Sequence, residues 1–347
     1  MKKTWLGIFC FLLTSCHYGA YYSGQKSNHF DGKKFISEDK TKLRENLRFA
    51  FTGKDSWDEP EEKVTFVKPN ELGKIKNARI TFVGHSTFLI QLPSKKHKAQ
   101  STINILTDPI WSERAGPVAL PIFSPKRHNP PAINFDDLPK IDFVLIGHSS
   151  YYHMDLPTIE KLQKKFAPKF ITGLGNCHVL NEIEKLGLSC FEIDWDQEIK
   201  LANGLEFIFL PAKNWSKRSW FDTNKTLWGS FLIKTSKIKI YFAGDTGYSK
   251  HFDEIRKKYG KPDVALLPIG SYEPRWYLQD HHMNPEDAVV AHRELGAKKS
   301  IGMHFNTFKT SAEGYLDPEK DLETAKLSYH LKKKDFVAPK FGEVFEW

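Results

Sequence analysis

The chain has 347 residues, of which 40% are hydrophobic and 14% aromatic, and its formal net charge is +9. This composition excludes an intrinsically disordered protein, and the lack of a short repeated unit excludes a solenoid. The positive charge favours anionic surfaces as partners. Nucleic acid is not expected, because the basic residues are scattered in short runs such as 95–98 and 332–334, which are typical of solvated loops and helix ends.

The first residues have the pattern of a bacterial export signal. Two lysines follow Met1, the apolar run 5–13 is too short to span a bilayer, and residues 13–16, Leu-Thr-Ser-Cys, resemble a lipobox. We expect residues 1–16 to be a lipoprotein signal peptide and Cys16 to be lipidated, with a plain secretory peptide as the alternative. His17 then favours the periplasmic side of the outer membrane. A basic chain next to a lipid anchor favours phospholipid headgroups as partners.

Residues 17–77 show little periodicity apart from a short helical pattern at 40–51, which predicts a tether and N-terminal extension. From Ala78 to Trp347, short β-rich runs alternate with helical segments. The predicted strands are 80–83, 88–90, 103–106, 143–146, 205–210, 230–233 and 238–242. The predicted helices are 156–166, 179–186, 249–259, 285–295 and 318–332. Because nothing divides this region, we predict one α/β domain over 78–347, with helices covering its sheets.

Only two cysteines, Cys177 and Cys190, follow Cys16 in the predicted mature chain. An oxidising compartment permits a disulfide between them, and two buried free thiols are an equal alternative.

Several potential metal ligands follow predicted strands. His148 and His153 lie in the loop after the apolar run 141–146, Asp245 lies in a Gly-flanked turn after 238–242, and His304 ends a short apolar stretch. Neutral imidazoles and carboxylates at strand ends can hold zinc and leave a position open for water. Taken alone, each residue also suits an ordinary loop or helix cap. Their order and spacing along the chain form the more specific signal.

In that order and spacing the chain resembles the metallo-β-lactamase fold and, within it, the N-acylphosphatidylethanolamine-hydrolysing phospholipase D family. The resemblance runs from about Gly84 to about Leu316. It rests on blocks rich in Trp, Gly and Pro, which are 84–87, 106–115, 125–127, 215–218, 224–230, 242–248 and 268–276. It implies an αββα sandwich, in which two mixed β-sheets pack face to face with helices on the outside.

Carried over position by position, the family's first metal would use His148, Asp245 and two further histidines, where this chain has Ser150 and Asn214. A hydroxyl and an amide oxygen are weak zinc ligands, so we expect this first site to be lost. The second metal would use His153, Asp245, His304 and an aspartate that is Tyr152 here. The resemblance therefore implies at most one ion, zinc first, with iron or manganese as alternatives.

Other residues near these motifs have expected roles outside this ligand set. Tyr152 is expected to fill the vacated space with its ring rather than to bind metal as a phenolate, because a phenol ionises only near pH 10. His282 is either a general acid or a packed loop histidine, and Arg275 is a candidate phosphate contact. His85 is expected to be a structural hydrogen bonder. His178 begins a predicted helix or replaces a missing ligand.

Two functions follow from this pattern. The first is an envelope lipoprotein hydrolase that cleaves a phosphodiester or ester of a lipid-like, anionic substrate, with Asp245 and His282 as catalytic residues. The second is a catalytically inactive family member that binds lipid or serves as a scaffold.

Overall fold

The computed structural model describes residues 21–37, 57, 72–73, 75–96, 99–116, 124–181, 187–219 and 221–347. The predicted signal peptide, the lipidation site Cys16 and the helical pattern at 40–51 lie outside these residues, as does most of the C-terminal half of the predicted helix 179–186. In the described part of the chain, no helix is long and apolar enough to cross a membrane.

The described chain forms two mixed β-sheets with helices. The strands are β1 Arg79–Gly84, β2 Thr87–Lys96, β3 Ala99–Thr107, β4 Phe143–Ile146, β5 Lys169–Gly173, β6 Ser189–Ile193, β7 Glu198–Lys200, β8 Glu206–Leu210, β9 Ser230–Lys234, β10 Lys239–Phe242, β11 Val264–Pro268, β12 Lys299–Met303, β13 Phe336–Val337 and β14 Val344–Glu346. The α-helices are α1 Leu156–Phe166, α2 Asn176–Leu180, α3 His251–Tyr259, α4 Arg275–Leu278, α5 Pro285–Leu295 and α6 Asp317–Ser328.

Each sheet contains seven strands, in the orders β14-β1-β2-β3-β4-β5-β6 and β13-β12-β11-β10-β9-β8-β7. Strands β3 to β6 run parallel to one another, and so do β10 to β13. The carboxyl ends of neighbouring parallel strands therefore lie along one edge of each sheet.

The side chains of β4 alternate between two hydrophobic cores, which shows how the layers form. Phe143 and Leu145 belong to the core shared by the two sheets, whereas Val144 and Ile146 belong to a second core beneath α1. Successive side chains of a strand point to opposite faces, so an all-apolar strand serves both layers. The ring of Phe143 lies 5.0 Å from that of Phe207 in the other sheet. This arrangement confirms the predicted sandwich.

Part of the predicted tether is integrated into the domain. Phe30 and Phe35 are each only 2% exposed and belong to the core shared by the sheets. The backbone of Phe35 donates to the carbonyl oxygen of Asn224, and the ring of His29 lies 2.7 Å from the Asp194 carboxylate. Residues 21–37 of the predicted tether and N-terminal extension over 17–77 therefore pack against the domain, because the aromatic side chains in this aperiodic segment supply enough apolar surface to dock it.

Cys177 in α2 and Cys190 in β6 form a disulfide, with their Cα atoms 5.9 Å apart. The sequence left pairing and free thiols open, and the fold decides for pairing because it places α2 beside β6.

Candidate metal centre

The candidate site lies where strand ends of the two sheets meet. Five acidic or imidazole side chains lie within three residues of the end of a strand: His85 after β1, Asp108 after β3, His148 after β4, Asp245 after β10 and His304 after β12. In α/β sheets, ligands bind outside the carboxyl ends of such strands. The fold thus assembles residues that are as far apart in sequence as 85 and 304.

Glycines allow the two sheets to approach each other at this edge. A Cβ atom at Gly147 would lie 2.8 Å from the carbonyl oxygen of Gly229, and Gly244, at φ +63°, would meet the same oxygen at 2.8 Å. A side chain at either position would push the loops apart. The close approach brings the residues after Gly147 and Gly244 to one cavity.

His153 is oriented by a buried carboxylate. Its Nδ1 lies 2.7 Å from Oδ2 of Asp108, whose Oδ1 accepts a hydrogen bond from the backbone of Gly147. This contact is the arrangement that places the proton of a metal-binding histidine on Nδ1 and leaves Nε2 as a lone pair. Burial raises the pKa of the Asp108 carboxyl, and its pairing with His153 offsets only part of that rise. For His153, burial lowers the pKa, but the charge of Asp108, its hydrogen bond and the charge of Asp245 together outweigh burial, so the pKa is raised.

The Nε2 atom of His153 faces Nε2 of His304 at 3.2 Å and Oδ2 of Asp245 at 3.8 Å. Burial lowers the pKa of His304 to about 3, so its imidazole is neutral near pH 7. Burial would raise the pKa of Asp245, yet the neighbouring imidazoles of His282 and His304 hold it well below its usual range. A neutral imidazole and an ionised carboxylate are the forms that bind a metal ion.

His282 joins the same cluster through Asp245. Its Nδ1 lies 2.8 Å from Oδ1 of Asp245, but the two atoms are not aligned as a hydrogen bond, and each is buried without a hydrogen-bond partner. Unpaired polar atoms are costly inside a protein. Their convergence indicates a site that a cation completes.

His148 is less available. Its Nε2 contacts the carbonyl oxygen of Trp215, and its Nδ1 accepts a hydrogen bond from the backbone of Ser150 at 3.3 Å. Asn214 is likewise occupied, because its amide group donates to the carbonyl oxygen of Asp245 and accepts from the backbone of Trp215, each at 2.8 Å. Of the four predicted first-metal positions, His148, Ser150, Asn214 and Asp245, these bonds leave only Asp245 as an unused strong ligand.

Tyr152 packs its ring against a small apolar cluster formed by Ile110, Ala115 and Phe308. Burial raises its pKa, which keeps the phenol neutral. The position agrees with the predicted filling role.

Arg275 does not line the cavity. Its guanidinium pairs with Asp287 at 2.6 Å and donates to the carbonyl oxygen of His282 at 2.9 Å. Charge-assisted bonds of this geometry fix a side chain in place. The structure thus gives Arg275 the role of holding the His282 loop, rather than that of the predicted phosphate contact.

The sequence did not predict that His85 and Asp108 belong to the candidate metal site. The Nε2 atom of His85 is buried without a hydrogen-bond partner, contrary to the expected structural hydrogen bond. An acidic residue directly after a buried strand was the available signal for Asp108. His178 stacks on Tyr21 at 4.3 Å in α2 and does not line this cavity.

The residues fit a metal ion. Among the described residues, three sets have donor atoms within 4.8 Å of one another, and they share His153, His304 and Asp245 in different combinations: His85 with His153 and His304, His148 with His153 and Asp245, and Asp245 with His282 and His304. Apart from His85, which lies behind His304, all members of these sets line a cavity of about 180 Å³, and Lys217 and Trp215 line it as well. A larger cavity of about 540 Å³ lies on the other side of Asn214, but none of these three sets lines it.

Comparison with known proteins supports the same assignment. The family described as "Beta-lactamase superfamily domain" matches residues 103–305. N-acyl-phosphatidylethanolamine-hydrolyzing phospholipase D 1 of Caenorhabditis elegans is 33% identical over 279 residues, which cover 77% of this chain and 75% of that protein. An uncharacterized protein of Mycobacterium tuberculosis is 31% identical over 323 residues, covering 89% and 82%.

Solved structures share the fold at lower identity. The metallo hydrolase Igni18 of Ignicoccus hospitalis superposes with a TM-score of 0.53 at 22% identity, over 78% of this chain and 99% of that one. An isothiocyanate hydrolase from Delia radicum gut bacteria superposes with a TM-score of 0.57 at 18% identity, over 78% and 100%. The fold of this chain is thus shared with these solved hydrolases.

Proposed function

Since this chain belongs to the beta-lactamase superfamily, we propose that it is an exported metal-dependent hydrolase that cleaves a phosphodiester or related ester of a lipid-like substrate with at most one metal ion. The observation that carries the proposal is the convergence of His153, His304 and Asp245 in a buried cavity. Two imidazoles and a carboxylate suit zinc, with iron or manganese as alternatives. The phospholipase D relatives support the substrate class.

The chain's own groups have distinct roles in this proposal. His153, His304 and Asp245 would hold an ion, which would supply Lewis acidity toward water and toward the substrate oxygen. Asp245, held ionised, accepts hydrogen bonds from the attacking water, and His282, 2.8 Å from Asp245, holds the proton that the leaving oxygen requires. Lys217 in the cavity wall adds positive charge, which suits an anionic phosphodiester.

The size of the cavity limits what enters it. A volume of about 180 Å³ is below that of sites that enclose a whole drug-sized ligand, roughly 300–1,000 Å³. Only the scissile part of a lipid fits, with its acyl chains outside. A headgroup linkage presented at a membrane surface meets this requirement.

Export and lipid anchoring at Cys16 remain part of the proposal. The Cys177–Cys190 disulfide supports it, because such bonds persist in oxidising compartments such as the periplasm.

The alternative is a catalytically inactive member that keeps a lipid-binding surface. The local bonds that occupy Ser150, His148 and Asn214 favour it, because they stabilise the altered positions without a metal.

Metal content separates the two functions. After reconstitution with zinc, the purified protein should hold about one ion per chain, and the double variant His153→Ala, His304→Ala should hold none. The exposed His330→Ala serves as the control. Loaded protein should also release the headgroup from vesicles containing N-acylphosphatidylethanolamine. A folded wild-type protein that binds no metal would exclude the enzyme and favour the inactive lipid-binding member.

A further inference from the structure

We propose that His85 is a metal ligand, so that one ion is held by the three imidazoles of His85, His153 and His304, with Asp245 as the accompanying carboxylate. The inference rests on the proposed function, since it requires a bound ion. It differs from the ligand set implied by the family resemblance, which does not use His85.

Distances among the three rings favour a shared ion. The Nε2 atoms of His153 and His304 are 3.2 Å apart, and two nitrogens bound to one tetrahedral zinc at about 2.0 Å lie roughly 3.3 Å apart. A ring nitrogen of His85 lies within 4.8 Å of the donor atoms of both. The rings of His85 and His304 are 4.2 Å apart, centroid to centroid.

The side chain of His85 lacks the partner that its burial demands. The residue is 1% exposed, and its Nε2 has no hydrogen-bond partner among the described residues. Leaving such a buried atom unsatisfied is destabilising. An ion between the three rings would satisfy it.

The backbone holds His85 and His304 together in an unusual conformation. Their φ angles are +54° and +65°, a left-handed region that is strained for a residue other than glycine. The backbone of His304 donates to the carbonyl oxygen of His85 at 2.8 Å, and the backbone of His85 donates to Oγ1 of Thr307 at 2.8 Å. Backbone strain of this kind clusters at functional sites, and here it positions two imidazoles side by side.

The competing histidines are less suitable as the third imidazole. Both ring nitrogens of His148 already have partners in the Trp215 carbonyl and the Ser150 backbone. His282 lies against Asp245, where it serves as the proton carrier. An ion on His85, His153 and His304 needs none of the altered positions 150, 152 and 214, which explains how those changes are compatible with metal binding.

The test compares His85→Asn with His148→Asn, using zinc alone as the probe. Asparagine tolerates positive φ, so the first variant preserves the backbone at this position. We expect His85→Asn to lower zinc affinity by more than about 100-fold. Loss of a residue that only hydrogen-bonds to a ligand lowers affinity by roughly 10–100-fold, so the larger loss indicates a ligand. We expect His148→Asn to change zinc affinity little. Chelator competition gives the affinity.

X-ray absorption of the zinc-loaded protein gives the number of bound imidazoles. Wild-type protein should show three, His85→Asn two, and His282→Asn three. Wild-type affinity and an unchanged imidazole count in His85→Asn would overturn the inference but leave the proposed function standing. If His85→Asn does not fold, a count of two in wild-type protein, or a loss of one imidazole in His282→Asn, overturns it, whereas three in both proteins supports it. A wild-type protein that binds no zinc overturns both proposals.

Discussion

The Nδ1 atom of His153 lies 2.7 Å from Oδ2 of Asp108, and both side chains are buried. The contact sets which nitrogen of His153 is left to face His304. It also links the end of β3 to the loop after β4, so the orientation of a proposed ligand depends on the pairing of two strands.

Replacing Asp108 with asparagine should weaken metal binding by about 10–100-fold, because the amide no longer stabilises the Nδ1 proton of His153 through a charge. The measurement is zinc affinity by chelator competition. Asp142→Asn is the matched control, since that carboxylate accepts a backbone hydrogen bond from Asn104 outside the cavity. Equal affinities for the two variants would show that Asp108 has no role in metal binding.

Restoring the ligands expected from the family should create a second metal position. The triple variant Ser150→His, Tyr152→Asp, Asn214→His should raise metal content from about one to about two ions per chain, measured by elemental analysis after reconstitution. The added imidazoles must displace the present hydrogen bonds of Asn214, and His148 must release the carbonyl oxygen of Trp215. A content that stays at one ion would show that these loops cannot reopen.

Acid should destabilise the fold partly through His251. Burial lowers its pKa to about 3, whereas the unfolded value is about 6.5, so between these values the unfolded state binds a proton that the folded state does not. The free energy of unfolding should therefore fall as pH falls through this window, by at most about 1.4 kcal/mol per pH unit. Urea unfolding of His251→Gln at pH 7, 5 and 4 should show a shallower loss than wild-type protein. Parallel losses in the two proteins would contradict this assignment.

Removing the disulfide should lower stability. Cys177→Ser together with Cys190→Ser should reduce the free energy of unfolding by about 3 kcal/mol, because the bond closes a loop between residues 13 apart and restricts the unfolded chain. Urea unfolding measures this loss, and reduced wild-type protein provides the matched comparison. If reduction leaves stability unchanged, the bond contributes nothing to the fold.

The sequence by itself determined the fold family and most regular elements. Helices 156–166 and 285–295 were predicted with their observed bounds, because proline at the first turn and a regular apolar spacing mark them locally. Several strands, among them 264–268, were not predicted, because periodicity alone does not distinguish a short all-apolar run from a segment of a buried helix. The retained residues His153, Asp245 and His304 were also identified from the order of the motifs, which can be read directly from the sequence.

Only the tertiary structure decided which nitrogen and oxygen atoms are available. The occupied nitrogens of His148, the Asp108 contact of His153 and the unpartnered Nε2 of His85 all depend on strands far apart in sequence meeting at one edge. Whether a polar atom has a hydrogen-bond partner depends on its neighbours in three dimensions, so the spacing of residues along the chain does not encode it. For the same reason Phe30 and Phe35, which look like linker residues in the sequence, are buried in the core of the fold.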